Sequence, residues 1–129
     1  MSKPFVKKRS LIHSFRYAFH GLSYAAISQR NIWIHSILAI MVTILGVYFH
    51  ISKTEWMALS FSISLVITTE LINTAIELSV DLTTKRKKYR AMLSKDVAAA
   101  AVLLTSINAI IIGYLIFYHR FATLFAGGF

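Results

Sequence analysis

The 129-residue chain has no cysteine, and it carries only five aspartates and glutamates against fourteen lysines and arginines. Without cysteine, disulfides and thiolate metal sites are excluded, so any bound metal must be held by oxygen or imidazole. Internal repeats, low-complexity tracts and Gly/Ser-rich linkers are also missing, which points to one small unit without a second domain. Charge is scarce altogether: 15% of residues are charged and 57% hydrophobic, with a mean hydropathy of +0.63. That is too apolar for a soluble domain of this size, and most of the apolar surface must face lipid.

Three stretches reach the roughly 20 residues that a bilayer crossing requires: residues 32–51, 56–82 and 97–118. The expected fold is all-α and integral to the membrane, with residues 1–31 forming a cytoplasmic, interfacial segment. Lys3, Lys7, Lys8, Arg9, Arg16 and Arg30 precede the first span. Lys85, Arg86, Lys87, Lys88, Arg90 and Lys95 fill the loop between the second and third, whereas the opposite side has only Lys53 and Arg120. Because positively charged loops stay cytoplasmic, the N-terminus is expected inside and the C-terminus outside. The net charge of +9 fits anionic lipid headgroups, and nucleic acid is not an expected partner.

The N-terminal stretch SLIHSFRYAFHGLSYAAI does not read as a signal peptide, since His13, Arg16 and His20 interrupt any hydrophobic region. Leu11, Phe15, Ala18, Leu22 and Ala25 recur at helical spacing, with Arg16 and His20 off the stripe, as in an amphipathic helix lying in the membrane interface. Ser52 and Glu55 of SKTE form a capping box before the second span. On the third span Ala101, Thr105, Ala109 and Gly113 recur every fourth residue, a ladder that permits close helix contact in lipid.

Against this background TTELINTAIELSVDL, residues 68–82, stands out. At 100° per residue, Glu70, Asn73, Glu77 and Asp81 fall at relative angles of roughly 0°, −60°, −20° and +20°, one polar stripe about 16 Å long. Carboxylates at that depth cost several kcal/mol unless paired or hydrated, and they mark function. Carboxylate and amide oxygens suit Mg²⁺, and a deeper carboxylate can act as general base toward an alcohol arriving from the bilayer. In LSKDVAAAAVLL, Ser94 is expected to cap the third span and to leave Lys95 in its first turn, where helix amides already favour phosphate. Asp96 either orients Lys95 or satisfies the helix dipole.

The strings ELINTAIELSVD and KDVAAAAVLL, together with SFRYAFHGLSYA and RNIWIH upstream, resemble the prokaryotic diacylglycerol kinase family, which includes undecaprenol kinases. No GxxxxGK[ST] loop or protein-kinase glycine loop is present, as suits a separate, membrane-embedded kinase class. The resemblance implies Mg²⁺- and ATP-dependent phosphorylation of a lipid alcohol in the bacterial cytoplasmic membrane, by a homotrimer with active sites between subunits. It implies Glu70 as catalytic base and Glu77 as Mg²⁺ ligand supported by Asn73. It also implies nucleotide contacts from Tyr17, Gln29, Asp81, Lys95 and Asp96, with Arg86, Lys87 and Lys88 flanking ATP.

Two positions depart from the family pattern. Gln29 stands where a glutamate is usual, so a metal between Gln29 and Glu77 would meet one charge fewer and bind more weakly. Ala100 stands where many relatives have glycine. The competing reading is a non-catalytic membrane subunit, or a protein that moves cations or protons along the acidic stripe.

Overall fold

The computed structural model describes residues 10–83 and 88–126, and among these every regular element is helical. Helix α1 runs Leu11–Ser28, α2 Arg30–Tyr48, α3 Lys53–Thr83 and α4 Tyr89–Ala126. The last three are long and apolar enough to cross a membrane. Leu11, Phe15 and Leu22 of α1 are exposed and only Ala25 is buried, so the apolar stripe of this surface helix is left for lipid. Lys3, Lys7, Lys8 and Arg9 lie outside the described residues, as do Lys85, Arg86 and Lys87.

A single residue separates α1 from α2. Gln29 is extended (φ −113°, ψ 111°) and its N–H returns to the Ala25 carbonyl, which ends one helix and starts the next without a loop. The α2–α3 turn is a Schellman cap: the His50 N–H donates to the Val47 carbonyl and the Ile51 N–H to that of Gly46. His50 takes the left-handed conformation, φ 50°, that this cap requires. Immediately afterwards the Ser52 N–H donates to Glu55 Oε2 (2.8 Å) and the Glu55 N–H to Ser52 Oγ (3.3 Å). These reciprocal bonds are the capping box expected from SKTE.

Helices α3 and α4 form an antiparallel hairpin fastened at three levels. At one end Arg120 holds both Glu55 oxygens at 2.9 Å. Midway the Thr69 and Thr105 hydroxyls meet at 2.9 Å, and at the far end Lys95 Nζ lies 2.6 Å from Asp81 Oδ1. Ile51, Leu59, Ile116 and Phe117 are buried together near the Glu55 end, with Phe49, Trp56 and Phe121 packed against them.

One expectation is corrected here. The last helix begins at Tyr89, not at a Ser94 cap. Ser94 lies inside it and donates to the Arg90 carbonyl at 3.0 Å, so Lys95 is past the first turn and its free amides. The cause is local, since YRAMLS contains good helix formers and no breaker. The small residues spaced every fourth along α4 meet different surroundings. Thr105 makes the contact with α3, whereas Ala101 is exposed and Ala109 and Gly113 line a groove.

Gly46 is the tightest point of the α2–α3 turn. A Cβ there would lie 2.9 Å from Trp56 Cη2 and 3.1 Å from Ile51 Cδ1. Gly46→Ala is therefore expected to lower the melting temperature in detergent, with overpacking costing about 1–3 kcal/mol. Adding Trp56→Phe should recover part of the loss, and an unchanged melting temperature for Gly46→Ala would show that the indole yields freely.

Candidate active site

The polar stripe of α3 turns inward over its central part. Glu70 is 2% exposed, Asn73 8% and Thr74 4%, whereas Glu77 is half-buried and Asp81 exposed. This burial follows from spacing, because residues three and four apart share one helix face, and here that face meets α2.

Each acid has its own partner. Glu77 receives two amides, Asn73 Nδ2 at 3.1 Å on Oε1 and Gln29 Nε2 at 3.4 Å on Oε2. The one-residue break between α1 and α2 is what brings Gln29 to Glu77. Asp81 faces Lys95 across the hairpin. Lys95 is thus tied to Asp81 and not to Asp96, which is exposed one position further along α4. Glu70 has His35 of α2 as its neighbour, with Nε2 3.4 Å from Oε1.

Two atoms within this cluster are buried without a hydrogen bond, Glu70 Oε1 and Asn73 Oδ1. An unpartnered buried acceptor is costly, and it commonly marks a place where a ligand or ion completes the set. Among the described residues no three histidine, aspartate or glutamate side chains converge. Both amides turn their NH₂ groups to Glu77, so a divalent ion there would meet that carboxylate and oxygens of water or substrate, and would gain the amide oxygens of Asn73 and Gln29 once those side chains rotate. This donor set fits Mg²⁺, which takes one or two carboxylates and keeps other oxygen ligands.

Beside the cluster, α2, α3 and α4 enclose an apolar groove of about 280 Å³. Its walls are mainly aliphatic, including Leu38, Val42, Val66 and Ile110. Its end nearest Glu70 is formed by His35, Ile67 and Ser106. A hydrocarbon chain can lie in such a groove, with a polar terminus beside the buried carboxylate.

Tyr17 lies on α1 and Lys88 immediately before α4, both on exposed surface. Arg86 and Lys87 are outside the described residues. His35 is the neighbour that reading the stripe alone passed over. An ionisable ring inside an otherwise apolar run, RNIWIHSILAIM, was the available signal.

Residues 16–117 match the family described as prokaryotic diacylglycerol kinase. The chain is 41% identical over 105 residues to a diacylglycerol kinase of Synechocystis, covering 81% of this chain and 60% of that protein. It is 39% identical over 104 residues to an undecaprenol kinase of Bacillus subtilis, covering 81% of this chain and 85% of that protein. The family's span of residues 16–117 contains α2, α3 and the whole polar cluster, and the chain belongs to the prokaryotic diacylglycerol kinase family.

Proposed function

We propose that this protein transfers the γ-phosphate of ATP to the hydroxyl of a membrane lipid alcohol, undecaprenol or diacylglycerol, at the cytoplasmic face of the bacterial inner membrane. The observation that carries this reading is Glu70: a carboxylate 2% exposed, with Oε1 lacking a hydrogen bond, beside the end of an apolar groove. The lipid's hydrocarbon occupies the groove and its hydroxyl meets Glu70. The Glu70 carboxylate takes the hydroxyl proton while the lipid oxygen bonds to the γ-phosphorus. The bond from that phosphorus to the bridging oxygen breaks, and ADP leaves with the electron pair.

Lys95 answers the negative charge of the phosphates. In the free protein it is held by Asp81 at 2.6 Å on exposed surface, so it is available for exchange onto a nucleotide. Tyr17, Lys88, Arg86, Lys87 and Asp96 complete the proposed nucleotide contacts. Glu77, with Asn73 and Gln29 beside it, would hold Mg²⁺, which would neutralise phosphate charge there.

Charge supports the orientation. Arg30, Lys88, Arg90 and Lys95 cluster toward the Asp81 end, whereas at the opposite end Arg120 is neutralised by Glu55. Assembly as a homotrimer with sites shared between subunits is part of the proposal. Exposed Ala101 on α4 allows the close approach of a helix from another copy.

Glu70→Gln should lower kcat by about 10²–10⁴-fold, the usual contribution of a general base, with little change in KM for ATP. Wild-type turnover would remove Glu70 from the chemistry. Lys95→Met should raise KM for ATP by roughly tenfold or more, the scale of one charge-assisted hydrogen bond; an unchanged ATP titration would place the phosphates elsewhere.

Gln29→Glu sets a second carboxylate beside Glu77, where the wild-type amide donates at 3.4 Å. Without metal the two anions repel, and with a divalent ion they attract it. The variant should melt lower than wild type in chelator, recover on Mg²⁺ addition, and reach half-maximal activity at several-fold lower Mg²⁺. A Mg²⁺ requirement equal to or above that of wild type would show that position 29 does not face the ion.

A further inference from the structure

Glu70 carries a problem that the base reading alone does not solve. An ionised carboxylate at 2% exposure needs donors or a positive partner, yet nearly every polar group on its helix face is committed elsewhere. The Thr74 hydroxyl donates to the Glu70 backbone carbonyl, not to its carboxylate. The Thr69 hydroxyl is engaged with Thr105 and with backbone carbonyls of its own helix. Asn73 Nδ2 is spent on Glu77. His35 Nε2, by contrast, lies 3.4 Å from Glu70 Oε1, and its own side chain is 20% exposed.

His35 also holds a second place, since it lines the groove at the end near Glu70. None of the other residues lining that groove is titratable. The imidazole is therefore the single ionisable boundary between the lipid's path and the carboxylate. A separation of 3.4 Å is long for a hydrogen bond, and catalytic contacts of this kind commonly tighten when substrate is bound.

We propose that His35 is a positioning residue for Glu70: it supplies the donor that keeps the buried carboxylate aimed at the hydroxyl of a lipid alcohol seated in the groove. The proposal rests on Glu70 being the base. His35 acts through Glu70, so its loss lowers the rate of transfer without weakening nucleotide binding. A side chain able to donate a hydrogen bond over a similar reach replaces it in part.

The test compares His35→Leu, which fills the space without a donor, with His35→Gln, which keeps one, in full-length protein reconstituted into vesicles containing the lipid alcohol. His35→Leu should lower kcat by roughly tenfold or more, with KM for ATP and melting temperature near wild type. His35→Gln should recover a substantial part of kcat. In a Glu70→Gln background, His35→Leu should add little to the loss, because the two residues act as a unit. The proposal is overturned if His35→Leu turns over at the wild-type rate, or if both His35 variants lose the same activity together with melting temperature. Failure of the base reading is separate and visible in Glu70→Gln alone, which would then retain activity whatever His35 does.

Discussion

A carboxylate inside a membrane-spanning helix is tolerated only when its charge is compensated, because hydrocarbon offers neither water nor counter-ions. The rest of this structure follows from meeting that condition along one helix. Each acid of α3 is met from outside its own helix: Glu55 and Asp81 by α4 through Arg120 and Lys95, Glu70 by α2 through His35, and Glu77 by the α1–α2 junction through Gln29. Helix α3 is accordingly the axis of the chain. The order of its acids fixes where the other helices touch it.

The compensation is uneven along the helix. The ends of α3 are closed by ion pairs, Glu55 with Arg120 and Asp81 with Lys95, which suits fastening a hairpin. The centre is not closed: Glu70 Oε1 and Asn73 Oδ1 are buried acceptors without hydrogen bonds. Leaving acceptors open stores a cost of about 1–3 kcal/mol each, a cost that bound substrate and ion can relieve. A groove with mainly aliphatic walls ends beside the open carboxylate, and further oxygen acceptors lie about two turns along α3, which is the arrangement the proposed transfer to a lipid alcohol needs.

Much of this was legible in the sequence because it depends on helical period alone. The three- and four-residue intervals from Glu70 to Asp81 place the acids on one face whatever the helix packs against. Ser52 and Glu55 announce their cap from local spacing, and the apolar lengths announce the spans. What depends on pairing between helices was hidden. Nothing in SKTE names Arg120, 65 residues away, as the partner of Glu55, and nothing in KDV shows that Lys95 turns to Asp81. The Ser94 cap failed for a local reason, since a hydroxyl that can cap can also back-bond within a helix when good helix formers precede it. His35 was passed over because a lone histidine in an apolar run gives no direction until α2 is set against α3.

The central claim is that this arrangement performs phosphotransfer from a nucleotide to a membrane alcohol. It is tested most directly by reconstituting the purified chain into vesicles with γ-labelled ATP and Mg²⁺, with undecaprenol or diacylglycerol as the only alcohol, and measuring label in the extracted lipid. The account predicts a labelled lipid phosphate with at least one of the two alcohols, absent when the alcohol or the protein is omitted. Folded protein that leaves both lipids unlabelled would contradict it.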